Sequence, residues 1–206
     1  MSGEEREGTV FFRGVEAAFA NNPKAAQYLS ELKLSNVIYE PFTGRGGSGY
    51  EANLTRETYM KRNFVSQFNE AEKRTGKAPK VFMKFGGYHA QKGFTGTNVP
   101  GLANFLYEWG LSRDFAMVNV MVECVGGQAR NPQTQDTIPC QPYFDKDALL
   151  SKIPKPNRLT LFDLRPLRKQ LRRLPGLDQE SRQVILSFDY YLAIKDVTPG
   201  TFVAAK

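Results

Sequence analysis

The chain has 206 residues, 41% of them hydrophobic and 24% charged, the make-up of a folded globular domain, which excludes disorder as its main state. Twenty-eight Lys and Arg against 21 Asp and Glu leave a net charge of +7. A single histidine, His89, excludes any zinc site built on several histidines of one chain and would route any Ser-His-Asp or Cys-His arrangement through one residue.

The opening residues, MSGEEREG, are acidic and lack the apolar core of a signal peptide, and no apolar stretch approaches the roughly 18 residues of a membrane span. A cytoplasmic setting is the default expectation, unless a longer reading frame begins upstream. Residues 9–19 (Val10, Phe11, Val15, Phe19) and the segment after Asn22-Pro23 (Ala26, Tyr28, Leu29, Leu32) predict two short helices. Asn36–Glu40 reads as a short strand ended by Pro41. Gly44, Gly46 and Gly49 spell G-x-G-x-x-G within the loop Thr43–Tyr50. A dinucleotide fingerprint needs a buried strand before the glycines and a helix opening directly after them. Neither is evident, so a linker is the better reading, with residues 1–52 as N-terminal helices and Gly-rich linker and 53–206 as an α/β region.

A helix is predicted over Thr55–Arg74, with Met60, Phe64, Phe68 and Ala71 on one apolar face and Arg56 and Asn63 bordering it. Gly76 and Pro79 stop it. Lys80–Phe85 reads as a strand that delivers Gly86-Gly87-Tyr88-His89. A helix follows Pro100, through Leu102, Phe105, Leu106 and Trp109. Next comes an apolar strand, Ala116–Val125, holding Cys124 as a small core residue. Residues 126–143 form a polar loop with Cys140; nothing in the spacing asks for a bridge between the two cysteines. A short helix (Phe144–Ile153), a strand (Leu159–Leu164), an Arg-rich short helix and a last strand (Val184–Ile194) complete the pattern. Strands alternating with helices predict an α/β fold with a mostly parallel central sheet flanked by helices on both faces.

Residues 144–206 carry +5 of the net charge, concentrated in Arg165, Arg168, Lys169, Arg172 and Arg173. Leu167, Leu171 and Leu174 at helical spacing make this the solvated face of a short helix, with an anion-binding or interaction surface as the alternative. Exposed aromatics interleaved with the basic residues, or a reading helix, would mark a nucleic-acid partner, and neither is evident. Ligands of open α/β sheets bind at the carboxyl ends of the strands. A parallel sheet therefore brings His89, Glu123, Asp163 and Arg165 toward one edge. Gly86 and Gly87 let the backbone turn sharply or approach a ligand closely. A histidine presented there can act as a general base, a proton donor or an iron ligand.

Arg56-Glu-Thr-Tyr59-Met60-x-x-Asn63-Phe64, followed by Lys80-Val-Phe-Met-Lys-Phe-Gly86-Gly-Tyr-His89, resembles the second half of the erythromycin-esterase-like family, which is related in fold to the haem-uptake and Tiki proteins. Asn98–Asn104 with Glu108 is similar to the segment after the histidine loop, and Asp163-Leu-Arg165 and Phe188-Asp189-Tyr190 are similar to the closing elements, so the match spans residues 54–195. The resemblance implies the C-terminal portion of a larger three-layer α/β fold. It further implies hydrolysis of an ester or lactone by water, with His89 as base and Arg56 steadying a developing oxyanion. The small-molecule site would include Asn63, Lys84, Gly86, Gly87, Tyr88, Glu123, Asp163 and Arg165, with no metal. Esterase members carry a second histidine three residues before the one matching His89, where this chain has Gly86. Their N-terminal half also supplies a Glu/His-bearing segment that residues 1–50 lack. The reaction is therefore expected to be incomplete in this chain alone, with the missing half or a partner chain making it up, and the exposed sheet edges of half a fold predict self-association. The haem-uptake relation implies instead a non-catalytic domain in which His89 or Tyr88 approaches haem iron.

Overall fold

A computed structural model describes residues 12–19, 21–43, 48–131, 134–174 and 176–200 of the chain. By contacts the chain divides into two units, Met1–Ser66 and Gln67–Lys206. The first holds α1 (residues 12–18), α2 (Pro23–Tyr39), a 3-10 turn (Glu40–Phe42) and the opening of α3 (Gly49–Thr75), a helix that runs across the boundary. Asn22 starts α2 as expected: its side chain accepts from the Ala25 amide at 3.1 Å, and Pro23 fills the first helical position. The strand expected over Asn36–Glu40 is helix instead. The β-branched pair Val37-Ile38 is only a weak preference against a helix already nucleated, and Ile38 is buried as part of it. Gly44 and Gly46 lie outside the described residues, whereas Gly49 opens α3, six residues ahead of the expected start at Thr55.

In the second unit the end of α3 packs by aromatic contact with α5 (Leu102–Leu111). Phe68 meets Trp109 edge-on at 4.9 Å between ring centroids and Phe115 at 5.6 Å. The Arg113 guanidinium lies about 5 Å from all three ring centroids and is paired with Glu72 at 2.7 Å. Between these helices in the chain, Lys80–Phe85 has no regular structure and joins no strand among the described residues, and Phe82 is 92% exposed, so the expected strand does not form. Its apolar run satisfies the pattern for a strand without supplying the neighbour that a strand needs.

The sheet has three strands in the order β1 (Val120–Cys124), β5 (Tyr190–Ile194), β4 (Leu159–Asp163). β1 runs parallel to β5, with Val120 opposite Tyr190; β4 runs antiparallel to it, with Asp163 opposite Tyr190. The architecture is mixed helix and strand, and the sheet is mixed in orientation. Among the described residues of this unit, helices cover one face. There α6 (Leu149–Lys152), α7 (Arg165–Arg168), α8 (Gln179–Ser187) and a 3-10 turn (Leu171–Arg173) enclose a core of Phe144, Leu150, Leu164, Val184, Ile185, Phe188 and Tyr191. On the other face Val122, Leu159 and Leu161 are each 59% exposed, so the expected covering of both faces does not appear.

Two of the expected elements are differently drawn. The helix expected over Phe144–Ile153 is reduced to α6, since Ala148 just ahead of it has an extended backbone (φ −62°, ψ 146°). The strand expected over Val184–Ile194 is α8 followed by β5. Asp178 caps α8 by accepting from the Ser181 amide at 2.7 Å, and its other oxygen accepts from Leu149 N at 2.8 Å, joining α6 to α8.

Cys124 is no free core residue: it forms a disulfide with Cys140, closing 16 residues that carry a two-stranded hairpin, β2 (Gln128–Arg130) and β3 (Thr137–Pro139). At the start of this loop Gly127 has φ +99°, and a Cβ there would lie 2.3 Å from the Val197 nitrogen, so only glycine fits. Constraining a loop of this length in the unfolded chain is worth about 3 kcal/mol. Cys140→Ser, or a reductant, is expected to lower the unfolding free energy by about that amount. Urea denaturation with and without dithiothreitol checks it, and a coincident pair of curves would count against the bridge.

Candidate functional site

The polar residues of the second unit gather where β1 and β5 begin and β4 ends. Asp189 lies between α8 and β5 with its side chain 8% exposed. Its Oδ1 accepts from Lys92 Nζ at 2.7 Å and from Arg168 Nη2 at 3.0 Å, and its Oδ2 accepts from the Asn119 amide at 3.1 Å. Asn119, just ahead of β1, returns the contact: its Oδ1 accepts from the Asp189 amide at 3.1 Å. Its Nδ2 donates to Ser187 O at 2.7 Å and to Ala90 O at 2.8 Å. Arg168 Nε donates to Ile185 O at 2.9 Å, and Lys92 N donates to Ser187 O at 3.3 Å. Two strand starts, the end of α8, α7 and the loop bearing His89 are thus tied through two side chains.

Burial sets the charges in tension. It pushes the Lys92 ammonium below its ordinary range, and the hydrogen bond and attraction of Asp189 oppose that without cancelling it, while Arg168 adds repulsion. Burial pushes the Asp189 carboxyl up. Hydrogen bonds from Lys92, the Asn119 amide and Arg168, with the charge of Lys92, outweigh it and hold the carboxyl below the usual carboxylate range. Lys92 also sits 5.0 Å from the Tyr107 ring centroid.

Next to this knot, Asp163 and Arg165 form a two-pronged pair, Nε to Oδ1 at 2.9 Å and Nη2 to Oδ2 at 2.7 Å. Nη2 also donates to the Tyr190 hydroxyl at 2.5 Å. The hydrogen bonds from Arg165 are the main reason the Asp163 carboxyl lies below its ordinary range. Both side chains are largely exposed and answer each other.

His89 lies on α4 (Gly87–Ala90), half-buried, with its ring 6.0 Å from that of Phe85. The helix is fixed at its end by the bond from Asn119 to Ala90 O and from beneath by Gly101, where a Cβ would fall 2.8 Å from Tyr88 O. The fold therefore requires Gly101 rather than Gly86 or Gly87, which have ordinary backbone angles and open space for a Cβ. Tyr88 and Lys84 are exposed. Gly101→Ala is expected to displace α4, cost about 1–3 kcal/mol of stability and shift the one histidine ring resonance in the proton NMR spectrum. An unmoved resonance would show that the contact tolerates a methyl group.

Glu123 does not join this rim. β4 is antiparallel, so Asp163 pairs opposite Tyr190 while Glu123 pairs opposite Ala193, three positions along the sheet. That is about 10 Å at the usual rise per residue, and the two side chains occupy opposite faces. The expected convergence of Asp163 and Arg165 with Glu123 required β4 to run parallel. Glu123 accepts from the Tyr191 hydroxyl and from the Tyr143 and Phe144 amides, and it borders a cleft of about 150 Å³ with Ser151, Lys155 and Lys195. Burial, then the Glu123 bond, drive the Tyr191 phenol far above its ordinary range. Lys155 gives hydrogen bonds to Leu150 O, Ser151 O and Ile153 O, closing the end of α6. Glu123 and Lys155 are thus engaged in holding its walls.

Arg56 and Asn63 belong to the first unit. There Arg56 is half-buried with its guanidinium 5.2 Å from the Tyr39 ring centroid, and Asn63 is exposed. Lys92, Asn119 and the part played by Arg168 escaped the sequence reading. A charge inside the apolar run Ser187–Ile194 was the available sign, since Asp189 there must find buried partners. Among the described residues no group of three or more His, Cys, Asp or Glu is placed to hold a metal ion, and no helix is long and apolar enough to cross a membrane. No protein-family model, curated protein or solved structure matches the chain.

Proposed function

We propose that the rim around α4 is a small-molecule site whose chemistry is the hydrolysis of a carboxylic ester or lactone by water. The observation that carries the reading is the mounting of His89. Its four-residue helix is clamped between Asn119 and Gly101, and the chain leads three residues later into the buried Lys92–Asp189–Arg168 cluster. Neutral His89 takes a proton from water as the oxygen adds to the carbonyl carbon. The tetrahedral intermediate then expels the alkoxide, which leaves with the proton held by the imidazolium. Positive charge near the carbonyl steadies the oxyanion. Open space above Gly86 and Gly87 lets a ligand approach the backbone beside the histidine. The resemblance to the erythromycin-esterase-like family assigns the same role to His89 and suggests that further groups come from outside this chain.

The test is release of p-nitrophenol from p-nitrophenyl acetate by the full chain. Saturable turnover that His89→Ala removes supports the reading; its absence in the wild type rejects catalysis by this chain on its own.

A further inference from the structure

The buried cluster beside His89 carries one positive charge more than it balances. Lys92, with its side chain 10% exposed, and Arg168, 28% exposed, share a single carboxylate oxygen of Asp189. The neighbouring pair Asp163–Arg165 is near enough for Asp189 to act on Arg165 and for Arg168 to act on Asp163, but it is neutral in itself. Across the five groups the sum is +1. Unbalanced charge withdrawn from water is costly, and the cost falls when an anion is taken up.

The donors to receive one are present. Of the three ammonium hydrogens of Lys92, one is engaged, by Asp189, and Arg168 Nη1 makes no hydrogen bond among the described residues. Two cations with unused donors, Lys92 just after the helix of His89 and Arg168 on α7, thus meet at one carboxylate oxygen. We infer that this cluster is a subsite for a small anionic group, a carboxylate or phosphate, held by Lys92 and Arg168. The burial of Lys92 selects against a polyanion, whose backbone could not follow it inward. Resting on the reading of this rim as a hydrolytic site, the inference gives the substrate its class: a small ester or lactone that also bears an anionic group.

The experiment uses the isotope-labelled full chain, titrated separately with acetate and inorganic phosphate at constant ionic strength and followed by amide chemical shifts. The expected result is saturable movement of the Lys92, Asn119 and Asp189 amides, with the better anion identifying carboxylate or phosphate. Lys92→Met, which leaves Arg168 to balance Asp189, should weaken that anion at least tenfold, and Lys92→Arg less than threefold. Shifts confined to Arg172 and Arg173, no saturable shift from either anion, or equal binding by Lys92→Met would overturn the inference. The wild-type titration decides even if Lys92→Met does not fold. Binding without p-nitrophenyl acetate turnover would reject hydrolysis and keep the subsite, whereas turnover without binding would do the reverse.

Discussion

Asp189→Ala is expected to destabilise the chain by about 3–5 kcal/mol, the usual cost of removing one member of a buried ion pair. The carboxylate serves two cations and a backbone amide at once, at 2.7, 3.0 and 3.1 Å. Its loss leaves the Lys92 ammonium, itself already disfavoured by burial, without its counter-ion. Arg168 is partly exposed and keeps its bond to the Ile185 carbonyl, so it suffers less. Asp189→Asn separates charge from shape, since an amide still accepts one hydrogen bond. Because the folded-state carboxyl is held below its ordinary value of about 3.9, its contribution is complete above that value and fades as pH falls through the lower, folded value. Urea midpoints measured from pH 7 downward should show this acid-side loss in the wild type and a shallower one in Asp189→Asn. A cost below about 1 kcal/mol for Asp189→Ala would place the pair among surface bridges.

His89→Ala should lower ester turnover by about 10²- to 10⁴-fold, the range of a general base, while leaving the thermal midpoint nearly in place. The ring is half-buried on a four-residue helix whose end is held by the bond from Asn119 to Ala90 O. Added imidazole should restore part of the rate. Arg56→Ala tests the oxyanion role that the resemblance gives to Arg56: a fall in kcat supports it, and an unchanged kcat removes it.

Helices with strong ends were legible in the sequence. Asn22-Pro23 starts α2, Gly76 follows α3, and the spacing of Leu102, Leu106 and Trp109 gives α5. The strands were legible as apolar runs, but their direction was not. β4 has the same pattern whether it runs with β5 or against it, and that choice decides whether Asp163 meets Glu123. Alternation misled where a partner was missing: Lys80–Phe85 has a strand's residues without a neighbour, and the apolar outer face of β1 and β4 read as buried while it lies open. His89 drew notice because it is alone of its kind. Lys92 is one lysine among many, and only the long-range contact with Asp189, 97 positions away, marks it.

The Cys124–Cys140 bridge bears on where such a chain can work. Three residues beyond Cys140 the chain turns its Tyr143 and Phe144 amides onto Glu123, so the bridge also fastens the cover of a buried acid. Glutathione in a reducing cytosol works against a bond of this kind, and secreted or periplasmic surroundings preserve it. Address and architecture are thereby coupled: moving the same 206 residues between compartments would exchange a latched hairpin for one held by hydrogen bonds and packing alone.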